Sequence, residues 1–225
     1  MTIKKGDRTR TAILDATISC YHRYGYGKTT QDKVAEIAGI SMGAITYHYP
    51  TLAELTYASI EHIYKRRIEN HRNAIETAKA TEWDFDTALE VYWASVVDPL
   101  FISSHEISLA ARTDPALAAI LGPLHSKFWE QWRDTLKELY HEWTDTHDIF
   151  DFAVEYSVHL TEGMALDYLL HGRSEKRMLE LRDYMKDSLE SLLIVGQQGM
   201  SVEQLLAPGR ARRAELKGKD SQTSG

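Results

Sequence analysis

The string RYGYGKTT, Arg23 to Thr30, ends in the Gly-Lys-Thr that closes a nucleotide-binding phosphate loop. That chemistry needs Gly-x-x-x-x-Gly-Lys-[Ser/Thr] between a strand and a helix, so that backbone N–H groups cradle the phosphates. The first glycine would have to stand at position 22, which is His22. The residues before it carry Ile13, Leu14, Ala16, Thr17, Ile18, Tyr21 and Tyr24 at threes and fours, a helix and not a strand. A second stretch, HEWTDTHD from His141 to Asp148, is rich in metal-ligand types. It is not His-Glu-x-x-His, because Asp145 stands where the second histidine belongs. His141 and His147 are six apart and do not share a helical face. It reads as a solvated loop, with adventitious zinc or nickel binding as the alternative. No enzyme activity, cofactor or resident metal is expected.

The elements that must position any site are helices. The spacing predicts them at roughly 8–24, 30–38, 42–48, 51–79, 85–98, 100–113, 115–143, 148–171 and 175–196. Gly25 and Gly27 break the first, and Gly39 ends the second, where a left-handed residue costs least. Pro50 stops the third and Thr51 caps the fourth, while Asp98-Pro99 and Asp114-Pro115 each read as a cap followed by proline in the first turn. Few segments alternate with period two, so the fold class is all-α, about nine helices. From Ala207 the sequence APGRARRAELKGKDSQTSG loses its periodicity and reads as a flexible tail.

The bulk numbers fit a cytoplasmic globular protein. Hydrophobic residues make up 43% and charged residues 26%, with a single cysteine, Cys20, inside the first helix pattern. MTIKKGDRTR leads into an amphipathic helix and not an apolar signal region, and no run is long enough to span a membrane. A net charge of −7 argues against nucleic acid until its distribution is read. Residues 1–70 hold ten Lys/Arg against seven Asp/Glu, whereas 71–206 hold eleven against twenty-four. A basic amino-terminal part on an acidic body is the asymmetry expected where one small region meets phosphate.

TTQDKVAEIAGISMGAITYHY, Thr29 to Tyr49, reads as short helix, tight turn, short helix. Thr29 or Thr30 caps the first, Val34, Ala35 and Ala38 form its inward stripe, and Ser41 caps the second after a buried Ile40. Glycine in the turn suits helices crossing at about 90–120°, the helix-turn-helix whose second helix enters the DNA major groove. Thr29 to Leu55, TTQDKVAEIAGISMGAITYHYPTLAEL, resembles the DNA-binding signature of the TetR family of transcriptional regulators. YHRYGYGKTT resembles the approach to that signature, and the resemblance is specific over about residues 10–60.

The resemblance implies a recognition helix from Met42 to His48. It places Met42, Gly43 and Thr46 at base-reading positions and Tyr47, His48 and Thr51 at backbone-gripping ones. Lys28 and Thr30 stand at the edge that meets phosphate, and Ser41 belongs to the same DNA-binding set. Hydroxyls and helix amino-termini hold phosphate oxygens, and apolar Met42 with the Thr46 methyl suits a thymine methyl. Two departures stand out: many members carry Lys or Arg where Met42 stands and Lys where Leu52 stands.

The resemblance also implies domains at 1–50 (DNA-binding), 51–206 (effector binding and dimerisation, with 51–79 connecting) and 207–225 (flexible tail). The partners are then a palindromic double-stranded DNA operator, a small, largely apolar or aromatic effector, and a second copy of the chain. Candidate effector contacts are Trp93 and Val97, then Phe101, His105, Leu109 and Arg112 on one stripe, with Phe128, Trp132, Tyr156 and His159; all serve equally well as core. The dimer stripe is Met178, Leu181, Met185, Leu189 and Leu192, with Ser157 and Gly163 permitting close approach. The expected function is a ligand-released repressor. The rivals are an architectural DNA-binding dimer without effector and a metal-binding helical enzyme using His141 and His147.

Overall fold

The computed structural model describes residues 5–81, 84–144, 148–172 and 174–222, with side chains from 6 to 212 within those spans. They form ten α-helices: α1 (Lys5–Tyr24), α2 (Gln31–Ala38), α3 (Met42–His48), α4 (Leu52–Lys79), α5 (Phe85–Val96), α6 (Pro99–Ala111), α7 (Pro115–Leu139), α8 (Ile149–His171), α9 (Glu175–Gln197) and α10 (Val202–Gln222). Single turns of 3-10 helix stand at Tyr26–Lys28 and His141–Trp143. Among the described residues there is no strand, and no helix is long and apolar enough to cross a membrane.

The helix starts have the side-chain oxygens that four orphan backbone N–H groups require. Thr30 Oγ1 accepts from Lys33 N at 3.3 Å and Ser41 Oγ from Ala44 N at 3.3 Å. Asp84 Oδ1 accepts from Thr87 N at 2.8 Å, and Asp98 Oδ1 from Leu100 N at 2.7 Å. Thr51 and Glu54 form a reciprocal capping box, 3.1 Å from Glu54 N to Thr51 Oγ1 and 3.3 Å from Thr51 N to Glu54 Oε2. Gly39 closes α2 at φ 64°, a left-handed conformation that a Cβ would strain.

Packing divides the chain into two compact units, residues 1–136 and 137–225, and not at 50 and 206. Within the first unit α1 lies against α4 and α6 as well as α2. Asp15 on α1 accepts from Arg66 Nη1 at 2.6 Å and sits 3.2 Å from His62 Nε2, both on α4. Ser103 Oγ on α6 reaches the Ile18 carbonyl at 3.4 Å. Below these ties, Ile13, Ala16, Cys20, Val34, Ile45, Tyr49 and Leu55 form one buried cluster shared by α1 to α4.

In the second unit α8 packs against α9. Two sequence expectations are corrected here. The seventh helix ends at Leu139 and not 143, because the Trp143 N–H turns back onto the Tyr140 carbonyl at 2.9 Å and the two rings stack at 5.5 Å. The expected coil from 207 is helical to Gln222. Ala, Arg, Glu, Leu and Lys are strong helix formers whatever their periodicity, and one proline, Pro208, does not outweigh them.

Thr51→Ala removes one half of the capping box at the base of the longest helix. It is expected to lower stability by about 1 kcal/mol, read as a shift in urea midpoint with unchanged slope.

Candidate nucleic-acid interface and effector cavity

The roll of α3 follows from one residue. Ile45 is wholly buried, which turns the rows Met42–Thr46 and Gly43–Tyr47 outward. Met42 is 39% and Tyr47 83% exposed, and the His48 ring lies edge-on to Tyr47 at 5.1 Å. Gln31 Nε2 donates to the Tyr49 carbonyl at 2.9 Å and fixes the end of α3 against the start of α2, a contact no sequence pattern signalled.

The hydroxyls at the edge of this face have a shared property. Thr30, Ser41 and Thr51 each accept a backbone N–H as helix caps and are exposed. Accepting that bond leaves each hydroxyl hydrogen available to donate, which is what a phosphate oxygen requires. Lys28 is exposed beside them. Lys33 donates Nζ to the Lys28 carbonyl at 2.8 Å and lies 5.0 Å over the Tyr24 ring. It secures the turn that presents Lys28.

The turn itself depends on Gly25, at φ 78°. A Cβ there would also stand 3.1 Å from the Glu106 carboxylate of α6. Gly25 is therefore held by its positive-φ backbone, whereas Gly27, the glycine of the failed phosphate-loop motif, has open space where a Cβ would stand.

Within the first unit, α4, α5, the start of α6 and α7 line a half-open pocket of about 180 Å³. Arg67, Asn70, His71, Val91, Ser95 and Trp132 are among its lining residues. Of the ten expected effector contacts only Trp132 lines it. Phe101 and Phe128 are buried, with the Arg67 guanidinium 5.5 Å and 5.1 Å over their rings. Arg67 Nη1 also donates to Ser104 Oγ at 3.4 Å. Trp93 and Val97 are half-buried outside the lining, and the His105 ring lies tilted against Phe101 at 4.1 Å. Leu109 is 64% exposed and Arg112 exposed, so the stripe leaves the interior after one turn, where α6 ends. Tyr156 and His159 belong to the second unit, where they border a shallow surface groove with Phe152, Glu155 and Leu160.

Three of the polar lining residues, Arg67, Asn70 and His71, come from α4, which the sequence presented as a connector, and Ser95 and Asp98 come from α5 and the cap of α6. KRRIENHRN reads as a solvated charge run. The missed signal was register: Ile60, Tyr64, Arg67, His71 and Ile75 follow one another at threes and fours. Burial, with the nearby Arg67 charge adding to it, lowers the His71 pKa from 6.5 to about 4, so the imidazole is neutral at pH 7. The pocket thus offers the Arg67 cation, the Asp98 carboxylate, a neutral imidazole, a carboxamide and the Ser95 hydroxyl against aromatic and aliphatic walls.

The expected dimer stripe is also corrected in part. Met178, Met185 and Leu189 are buried in the α8–α9 seam, where Thr161 Oγ1 reaches Met185 Sδ at 3.4 Å. Leu181, Leu192 and Ser157 are half-buried, and Gly163 faces open space. The outward apolar residues described are instead Leu160, Leu169 and Leu170 on α8 and Leu179, Tyr184 and Ile194 on α9. Of the metal-ligand stretch, His141 is exposed and paired with Glu142 at 3.4 Å, while Asp145 and His147 lie outside the described residues. Among the described residues no three His, Cys, Asp or Glu group as a metal site.

Comparison with known proteins bears on the first face. The family described as bacterial regulatory proteins, tetR family, matches residues 13–57. An uncharacterized HTH-type transcriptional regulator of Mycobacterium tuberculosis is 20% identical over 163 residues, 72% of this chain and 84% of that protein. The HTH-type transcriptional regulator TtgR of Pseudomonas putida is 31% identical over 64 residues, 28% of this chain and 30% of that one. The crystal structure of the multidrug binding protein EbrR complexed with imidazole shares the fold, at TM-score 0.53 and 21% identity over 81% of this chain and 93% of that one.

The buried imidazole gives a pH prediction. With the folded pKa near 4 and the unfolded value 6.5, the unfolded chain binds the extra proton between them, so stability falls as pH falls through that window. His71→Phe removes the effect. The stability lost between pH 7 and pH 5 should be smaller in this variant than in wild type by about 2 kcal/mol, measured by urea unfolding at both pH values.

Proposed function

We propose that this chain, which belongs to the TetR family of helix-turn-helix transcriptional regulators, acts as a homodimeric, cytoplasmic repressor that a small molecule releases from a palindromic operator. The observation that carries the reading is α3: Ile45 anchors it, and Met42, Thr46 and Tyr47 stand out from it between three capping hydroxyls. Lys28, Thr30, Ser41, His48 and Thr51 grip the backbone, while Met42, Gly43 and Thr46 face the bases. The family is one of DNA-binding regulators and not of enzymes.

Two recognition helices on one duplex require two copies, with half-sites about 34–36 Å apart or a related separation. The outward apolar residues of α8 and α9 supply the surface for that pairing, Leu160, Gly163 and Leu170 lying on one face of α8.

The cavity of the first unit is the effector site of this reading. EbrR, which shares the fold, is a multidrug binding protein, which supports a small-molecule ligand here too. Arg67 and His71 line the cavity, and α4 also begins at the Thr51 cap next to α3. From Leu52 to Arg67 is about 23 Å of one continuous helix at 1.5 Å per residue. A ligand that prefers one tilt of α4 therefore biases where α3 stands, and only that difference in affinity drives release.

Selection of genomic DNA fragments on the purified protein should recover a palindromic site. Thr46→Ala with Tyr47→Ala should weaken binding to it by about 10–100-fold while leaving the fold intact. Recovery of only salt-sensitive, sequence-independent binding would sink the repressor reading. Leu170→Glu, at a residue 65% exposed, should convert the sedimenting species from dimer to monomer without loss of helicity.

A further inference from the structure

We infer that α3 reads its operator through the 5-methyl groups of thymines and makes no bidentate hydrogen bond to any base. The inference rests on the DNA-reading assigned above and specifies which chemical group is read. Sequence discrimination in the major groove commonly comes from Arg or Lys on guanine, Asn or Gln on adenine, and Asp or Glu on cytosine. Ser41 to His48 reads SMGAITYH and contains none of these six residue types.

The polar groups that remain discriminate weakly. Thr46 Oγ1 donates its hydrogen to the Met42 carbonyl at 2.7 Å, which leaves an acceptor and a methyl pointing outward. Ser41 Oγ is engaged with Ala44 N, and a single hydroxyl suits more than one base. The His48 ring, half-buried, lies 79° to Tyr47 and is the one nitrogen-bearing side chain of the helix.

What the helix does present is apolar. Met42 and the Thr46 methyl form one row, and Tyr47 extends from the next. Gly43 leaves the backbone between them open, with only the Ser41 hydroxyl, at 3.9 Å, near where a Cβ would stand. The groove edge of unmodified B-DNA has one apolar group, the thymine methyl. A thioether, a methyl and an aromatic ring side by side match it. Oxygen and nitrogen edges find no planar two-pronged partner on this helix.

The uracil series uses the unaltered protein and chemically altered DNA, so its outcome does not depend on whether a variant folds. A half-site enriched from a random duplex pool is resynthesised with deoxyuridine replacing thymidine one position at a time, which removes the methyl and keeps the base pair. Each methyl in contact should weaken binding by about fourfold, the factor expected for one buried carbon. 5-Methylcytosine opposite guanine at the same position should recover part of the loss relative to cytosine. Met42→Ala and Tyr47→Ala should each erase the sensitivity to uracil at one position. An enriched half-site indifferent to uracil at every thymine overturns the methyl reading and leaves the regulator standing. Failure to enrich any sequence overturns the regulator reading and this inference with it.

Discussion

The burial of Ile45 among Ile13, Val34 and Leu55 is the contact on which the recognition face depends. A helix of seven residues is too short to hold itself in water, so α3 exists because this cluster holds it. Its rotation is fixed by the same side chain, since a helix with one buried residue every turn has one outward face. The caps at Ser41 and Thr51, the Gln31 bond to Tyr49 and the left-handed Gly39 then set where it starts, where it stops and how the chain enters it. Each of these uses a backbone group that would otherwise be orphaned, so the presentation of Met42 and Tyr47 is the outcome of satisfying the backbone around one apolar anchor.

A different balance governs the interior of α4. Arg67 over two aromatic rings, with Ser104 as hydrogen-bond partner, keeps a cation where it is only half exposed. Its field adds to burial in holding His71 neutral. The polar residues are therefore interdependent: a ligand that screens or pairs with Arg67 also changes the surroundings of His71. Coupling between ligand and helix tilt can then act through charge as well as through shape.

Much of the frame was legible in the sequence, because helix boundaries are written by local chemistry. Thr30, Ser41, Thr51, Asp98 and Asp114 each sit where a cap was expected, and the structure puts their oxygens on the following N–H groups. The outward residues of α3 were legible for a similar reason: they stand on one helix whose inward side is a single isoleucine. The cavity was not. Its lining depends on how far α5 and α7 lie from α4, which periodicity within any one helix does not encode, and a charged run hides its one inward arginine. Leu109 and Arg112 show the converse error, since a regular stripe on α6 continued in sequence past the point where its neighbours covered it. The seam of Met178, Met185 and Leu189 was found as a stripe and misassigned, because periodicity gives a buried face without saying what buries it.

The contact of α6 with the first helix bears on how freely such a reader can be exchanged between proteins. Glu106 closes over the Gly25 turn, and Ser103 reaches the Ile18 carbonyl, so the DNA-facing segment is not a self-sufficient cassette ending near residue 50. A chimera that joins residues 1–50 to another regulatory body inherits a turn shaped for a carboxylate the new host lacks. It also exposes the side of α1 that α6 covers here. Recombination, in the laboratory or in evolution, must therefore move the first helix and its α6 partner surface together, and the unit of inheritance is larger than the signature that identifies it.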